Sequence, residues 1–498
     1  MPDLLHIHDL TLGFRGHPPV VEHVQLEVQP GESVGLSGVS GAGKSVLARS
    51  LLGLLDAELE VRSGHVAYQT KEGLTLNLFE LSNRQRAGLR GREIGLVFQD
   101  PHQAFNPVQP LGHQLLEGIR SLRPNVTAPR SYVRQLLQQV ELPDDHDRML
   151  RALPGALSGG QLQRMVIALA LLGAPRLLIA DEPTTSLDAV NQLAVVRLLD
   201  RLRHELQLSL IFITHDAELL RRCTDRVVAI GKTYQPTEYV RRAPELSHEE
   251  RPIALRVDGV RLSYPKQQTP VLQGVDCILR RGEWIALTGV SGCGKSTFAR
   301  WLVGLLPARS GRVDNGTASL SLPATGECVR DHTGAQLIFQ NVDQSLNPRQ
   351  TVRQHLTRTG VTAGAPSVDE LLELVELPAA QYGDRYVHTL SGGQRQRVAI
   401  ARALRTAPRI LVFDESFSGL DRGLRNRLLV LLDQLLRPHG VTALFITHDL
   451  RQARGTVDRV LVMDGGSIVE DTVPEELFLR PQTAVARQLV EAAQLRLP

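Results

Sequence analysis

Short apolar runs alternate along the chain with longer stretches that suit helices. Ser33-Val34-Gly35-Leu36, Leu177-Leu178-Ile179-Ala180 and Leu210-Ile211-Phe212-Ile213 are mostly apolar, with no polar alternation. Runs of that length predict strands buried on both faces, as in a parallel sheet covered by helices. Helical segments are expected over Val46–Arg49 and Leu162–Leu172, and again over Arg395–Leu404. The fold class is therefore α/β. Each strand run leads into a turn rich in glycine, acid or histidine. Open parallel sheets bind ligands beyond the carboxyl ends of their strands, so these turns should converge.

The pattern is written twice. Gly38-Val39-Ser40-Gly41-Ala42-Gly43-Lys44-Ser45 recurs as Gly289-Val290-Ser291-Gly292-Cys293-Gly294-Lys295-Ser296. Leu157-Ser158-Gly159-Gly160-Gln161 recurs as Leu390-Ser391-Gly392-Gly393-Gln394, and Ile213-Thr214-His215-Asp216 as Ile446-Thr447-His448-Asp449. Lys44 and Lys295 are 251 positions apart and Gln99 and Gln340 are 241 apart, whereas Ser158/Ser391, Asp181/Asp414 and His215/His448 all differ by 233. Deletions in the second copy thus fall before Gln340 and between Gln340 and Ser391, where peripheral loops absorb them more easily than a core. The expected division is one domain over 1–235, a polar, proline-interrupted linker over 236–252 and a second domain over 253–498, with a short C-terminal extension from Gly465.

Composition removes several classes. Lys and Arg number 56 against 53 Asp and Glu, and aromatic residues are 4%. So small a net charge does not predict a nucleic-acid partner, and few aromatics do not predict base-stacking platforms. Four scattered cysteines, without a CxxC pair, predict neither a disulfide scaffold nor a zinc ribbon. The start Met1–His6 has no leader-like pattern, and the longest apolar run, near Met165–Pro175, ends at Arg176. A membrane helix needs about 20 apolar residues, so none is expected.

The first repeated motif is a phosphate-binding loop, Gly-x-x-x-x-Gly-Lys-Ser between a strand and a helix. Its glycines (Gly38, Gly41 and Gly43; Gly289, Gly292 and Gly294) let backbone N–H groups wrap phosphate oxygens, and the helix N-terminus adds positive partial charge. Lys44 and Lys295 are expected on the β- and γ-phosphates, with Ser45 and Ser296 on Mg²⁺. Ser40, Ser291 and Thr297 belong to the same loops. The second motif is a strand ending in two acids, Asp181-Glu182 and Asp414-Glu415. The aspartates would hold Mg²⁺ and the glutamates would polarise water as general bases. Third, Ser158 and Ser391 suit helix N-caps whose neighbouring donors could face an anion.

This combination resembles the ATP-binding-cassette (ABC) ATPase family, whose signature pentapeptide Leu-Ser-Gly-Gly-Gln lies between the phosphate loop and the acidic strand as it does here. The resemblance covers nearly the whole chain, twice. It implies two P-loop NTPase nucleotide-binding domains in tandem, each with a RecA-like core, a helical subdomain and an antiparallel β-subdomain. It also implies that the two domains sandwich ATP head to tail. One composite site would join Lys44, Ser45, Gln99, Asp181, Glu182 and His215 to Ser391, Gly393 and Gln394. The other would join Lys295, Ser296, Gln340, Asp414, Glu415 and His448 to Ser158, Gly160 and Gln161. Gln99 and Gln340 would also approach the metal, His215 and His448 the γ-phosphate, and Phe14 and Tyr264 would stack on adenine. Neither copy lacks a catalytic residue, so both should hydrolyse ATP. Ser416 replaces the proline that follows the acids in copy one (Pro183), which predicts a looser turn and leaves the two hydrolysis rates free to differ, without loss of catalysis.

The segments Gln99…Asn106-Pro107 and Gln340…Asn347-Pro348 and the tail Phe478–Thr483 resemble the peptide and nickel importer branch. That implies two transmembrane permease subunits, an extracytoplasmic substrate-binding protein and a peripheral place on the cytoplasmic face of the inner membrane. Peptides, nickel or metal–chelate complexes would be the cargo, with a weak pointer to nickel in copy two. An exporter ATPase, or a tandem ABC protein acting on ribosomes or DNA, is the alternative. The short linker and the absence of clustered cysteines weigh against the latter.

Overall fold

The computed structural model describes residues 3–38, 41–54, 58–184, 187–214, 216–231, 239, 250–264, 269–322, 333–339, 342–359, 366–417 and 422–494. Ser40, His215 and Gln340 lie outside the described residues, as does most of the expected linker. The chain divides into two compact units, Met1–Gln235 and Pro236–Gln494.

Among the described residues the first unit has two sheets. An antiparallel sheet, order β2-β1-β4-β5, is built from β1 (Leu5–Phe14), β2 (Pro19–Val28), β4 (Leu59–Gln69) and β5 (Thr75–Asn77). Along β1, Leu5 and Ile7 are fully buried while His6 and His8 point outward, the alternation of a sheet with one wet face. The second sheet holds β3 (Ser33–Ser37), β6 (Ile94–Val97), β7 (Leu177–Asp181), β8 (Ser209–Ile213) and β9 (Arg226–Ala229). Its order is β6-β7-β8-β3-β9, all parallel. Every residue of β7 and β8 is buried, as the unbroken apolar runs predict. Leu5, Ile7 and Leu12 share one core with Val34, Leu47, Leu51, Ile179 and Ile211, which binds the two sheets through the helix Lys44–Leu51. Each such side chain contributes about 1.5–3 kcal/mol on burial.

The second unit repeats the plan. β10 (Ile253–Leu262), β11 (Leu272–Arg280), β13 (Ser310–Asp314) and β14 (Ser319–Leu322) form the antiparallel sheet, order β11-β10-β13-β14. β12 (Trp284–Thr288), β15 (Ala335–Ile338), β16 (Ile410–Asp414), β17 (Thr442–Ile446), β18 (Arg459–Asp464) and β19 (Ser467–Thr472) form the other, order β15-β16-β17-β12-β18-β19. The extension from Gly465 supplies β19, which pairs antiparallel to β18 and is followed by helices Pro474–Leu479 and Ala484–Gln494. Among the described residues β9 has a strand on one side only.

The register differences of the repeat fall between the sheet strands. Helices Leu111–Leu122 (12 residues) and Pro129–Gln139 (11 residues) sit between β6 and β7. The helices between β15 and β16 include Val352–Thr357 (6 residues) and Val368–Leu374 (7 residues). The linker reading needs amendment at its described positions. Arg251 is buried and pairs with Asp458 at 3.1 Å, and Tyr239 stacks on Trp284 and donates to Asp433 at 3.1 Å. Burial of a guanidinium requires such a partner, and both residues are part of the second unit's packing. No helix among the described residues is long and apolar enough to cross a membrane.

Candidate functional site

In each unit the chemistry gathers at the carboxyl ends of the parallel strands. The loop after β3 ends at Gly43, whose φ of +82° caps the helix Lys44–Leu51. A Cβ there would lie 2.4 Å from Val21 Cγ2, so only glycine fits. Gly294 repeats this with φ +113° before the helix Lys295–Leu302. Lys44 is buried and its Nζ donates to the Gly38 carbonyl at 2.8 Å. Lys295 Nζ donates to Gly289 O at 2.8 Å and Val290 O at 3.0 Å, and lies 3.8 Å from the thiol of Cys293.

Ser45 Oγ donates to Asp181 Oδ1 at 2.9 Å, and Ser296 Oγ to Asp414 Oδ1 at 3.1 Å. Both carboxyls are buried at strand ends. Desolvation holds both above the usual Asp range, with the adjacent glutamates adding to it and the serine bonds opposing it. This donor set fits a small hard cation. Two neighbouring ligands of an octahedral Mg²⁺ with 2.0–2.1 Å bonds sit roughly 2.9 Å apart, close to the observed separations.

The next residue in each strand turn is a glutamate in left-handed backbone, Glu182 at φ +47° and Glu415 at φ +48°. A non-glycine residue there costs about 1 kcal/mol or more and persists where its surroundings fix it. Here the backbone N–H of Glu182 donates to Ile213 O at 2.9 Å and that of Glu415 to Ile446 O at 3.1 Å, tying each turn to the neighbouring strand. Gln99 Nε2 donates to Glu182 Oε2 at 3.0 Å. In copy two His448 Nδ1 lies 3.6 Å from Glu415 Oε1. Burial alone would push the Glu415 carboxyl up, but the His448 hydrogen bond and charge, with Lys295 behind them, hold it below the usual range.

Ser158 and Ser391 are N-caps, as their type predicts. Each accepts from the backbone N–H of Gln161 or Gln394, whose side chain reaches back to the serine N–H, a closed capping box. The backbone N–H groups of the serine and the glutamine are thus paired within the box. Gly160 and Gly393 lie in the same first turns. Phe14 is half-buried at the end of β1, and its carbonyl accepts from Arg62 at 2.9 Å. The Tyr264 hydroxyl lies 3.2 Å from Thr297 Oγ1, so the buried Thr297 faces the tyrosine. Gly41 and Gly292 keep positive φ at open loop positions, and Ser291 is exposed.

One expectation is corrected. The turn after Glu415 is not loosened by the missing proline. Ser416 is buried, its hydroxyl donates to Ile338 O at 2.8 Å, and Phe417 packs on Phe413 and Phe445. Gln396, in the helix Gly392–Leu404, donates to the Ser416 carbonyl. Its counterpart Gln163, also displaced by 233, is fully buried, and among the described residues neither of its amide atoms has a hydrogen-bond partner. Sequence reasoning missed both glutamines, although their constant spacing within the repeat was a readable signal.

Comparison with known proteins identifies the family. The ABC transporter family matches residues 21–185 and 272–418. The peptidoglycan transport ATP-binding protein YejF of Agrobacterium fabrum is 34% identical, over 98% of this chain and 96% of its own length. The glutathione import ATP-binding protein GsiA of Salmonella choleraesuis is 32% identical over 100% of this chain and 90% of its own. Among solved structures, CbiO1 of Clostridium perfringens, described as part of the ABC transporter complex cbiONQ, is 27% identical, with a TM-score of 0.41 over 50% of this chain and 96% of its own. With two phosphate loops, two serine–aspartate pairs and two signature caps in one polypeptide, the chain belongs to the ABC transporter family as a tandem ATP-binding ATPase.

Proposed function

We propose that this chain is the ATP-hydrolysing motor of an importer, with one ATP site assembled on each phosphate loop. The observation that carries the reading is the duplicated set of a buried lysine, a serine–aspartate pair and a glutamate held in a strand turn. Lys44 and Lys295 exchange their carbonyl partners for phosphate oxygens. Ser45 with Asp181, and Ser296 with Asp414, would hold Mg²⁺, which supplies charge neutralisation of the phosphates. Glu182 and Glu415 orient water and take its proton as its oxygen bonds to the γ-phosphorus and the bond to ADP breaks. Gln99 positions Glu182 and His448 positions Glu415; His215 and Gln340 take the matching places by repeat. Signature residues Ser158, Gly160 and Gln161 complete the Lys295 site, and Ser391, Gly393 and Gln394 the Lys44 site. Phe14 and Tyr264 stack on adenine.

ATP that touches both copies only when they are paired favours the paired state, and hydrolysis releases it. Since relatives are named for glutathione import and peptidoglycan transport, the cargo class we propose is peptide-like, with nickel and metal chelates as the competing cargo. Two transmembrane permease subunits, with this chain docked on them at the cytoplasmic face of the inner membrane, and an extracytoplasmic substrate-binding protein would complete the machine. The test is the Glu182→Gln/Glu415→Gln double variant, which is expected to bind ATP and lose turnover. Retained turnover overturns the assignment. Cargo is read by reconstituting the chain with its permeases and binding protein, and comparing ATPase stimulation by di- and tripeptides, nickel and chelated metal.

A further inference from the structure

The wet face of the first antiparallel sheet carries an unusual set of side chains. His6 and His8 alternate with buried Leu5 and Ile7 on β1. Across the sheet, His6 is paired with Glu27 on one side and Ala67 on the other, and His8 with His65. His6 Nδ1 lies 3.7 Å from Asp3 Oδ2, and its Nε2 lies 3.9 Å from Glu27 Oε1. One ligand atom each from Asp3, His6 and Glu27 can be chosen so that all lie within 4.8 Å of one another. Gln29 donates to the other oxygen of Asp3, which turns Oδ2 toward His6. The His6 and His8 rings are 6.1 Å apart, and the His8 and His65 rings 5.3 Å.

We propose that this face binds one divalent transition-metal ion through His6, Asp3 and Glu27, with His8 as the fourth ligand and His65 packed behind His8. Imidazole with carboxylate suits Zn²⁺, Cu²⁺ or Ni²⁺, whereas Mg²⁺ and Ca²⁺ take all-oxygen sets. Two imidazoles on one tetrahedral ion, with bonds of about 2.0–2.1 Å, place their ring centres about 5 Å apart. His8 and His6 therefore close by about 1 Å, within the freedom of exposed rings on a strand. Ala67 beside His6 leaves space over that ring. Surface ion pairs alone contribute about 0–1 kcal/mol and give no reason for further imidazoles on the same face. The site is separate from the phosphate loops, whose donors are hydroxyl and carboxylate oxygens.

The experiment titrates Zn²⁺ into the tag-free, chelator-stripped full-length chain in excess Mg²⁺, by calorimetry and by thermal shift. The expected result is one saturable equivalent that raises the melting midpoint. His6→Ala is expected to weaken it by more than about 10-fold, and Glu27→Gln to weaken it in the same direction. His23→Ala, on the same sheet and paired instead with Asp9, is expected to leave the isotherm unchanged. The proposal is overturned if wild type shows no saturable Zn²⁺ binding, or if His6→Ala and Glu27→Gln both titrate like wild type.

Discussion

Replacing Gln396 and Gln163 by leucine, one at a time, separates two equivalent positions that the fold treats in opposite ways. Gln396 is almost fully buried and donates to the Ser416 carbonyl. Leucine of similar volume removes that donor and strands a buried acceptor, a loss of about 1–3 kcal/mol. Gln163 is 0% exposed, and both of its amide atoms lack partners among the described residues. Burying an unpaired amide costs about 1–3 kcal/mol by mutational data, which leucine would return. The assay exploits the placement of tryptophan. The chain has 2 tryptophans, Trp284 and Trp301, both buried in the second unit. Tryptophan fluorescence therefore follows that unit, while far-UV circular dichroism follows the whole chain. At about 2 kcal/mol, Gln396→Leu should lower the fluorescence midpoint by roughly 4–8 °C. Gln163→Leu should leave the fluorescence midpoint alone and raise the remaining dichroism transition. An unchanged fluorescence midpoint in Gln396→Leu, or a destabilised first unit in Gln163→Leu, refutes the hydrogen-bond reasoning.

Other predictions concern the caps and the strand-end acids. Ser391→Ala removes the acceptor that caps the helix Gly392–Leu404, and should cost about 1 kcal/mol in the fluorescence-reported transition. Asp181 has its folded-state pKa raised by burial, so ionising it opposes folding at every pH above its ordinary value. Asp181→Asn should therefore raise the first unit's melting midpoint at neutral pH while abolishing turnover at its site. A melting series should show the gain shrinking as pH falls toward about 3.9. A gain independent of pH would mean that ionisation is not its source.

Local features were legible in the sequence. The phosphate loops, the capping serines and the fully buried strands each follow from a few neighbouring residues and a known backbone preference. What escaped depends on contacts between distant segments. No local rule says that Glu182 and Glu415 take φ near +47°, because the constraint comes from strands Ser209–Ile213 and Thr442–Ile446 beside them. Ser416 read as a lost proline because its partner, Ile338, is 78 positions away. Arg251 read as linker because Asp458, which neutralises it, is 207 positions away. The spacing of the repeat was the one long-range signal available, and it placed the peripheral helices as the region of deletion.

The unequal flanks of the two parallel sheets bear on how the chain could be divided. β18 is sealed by β19 and two helices from the C-terminal extension, so the second copy carries its own selvage. Among the described residues β9 has no such border, and its outer hydrogen-bonding groups form a ready seam for another strand. Cut at the repeat boundary, the two halves should therefore differ in colloidal behaviour. The first should self-associate through β9 and the second should remain dispersed, as light scattering of the separated halves would show.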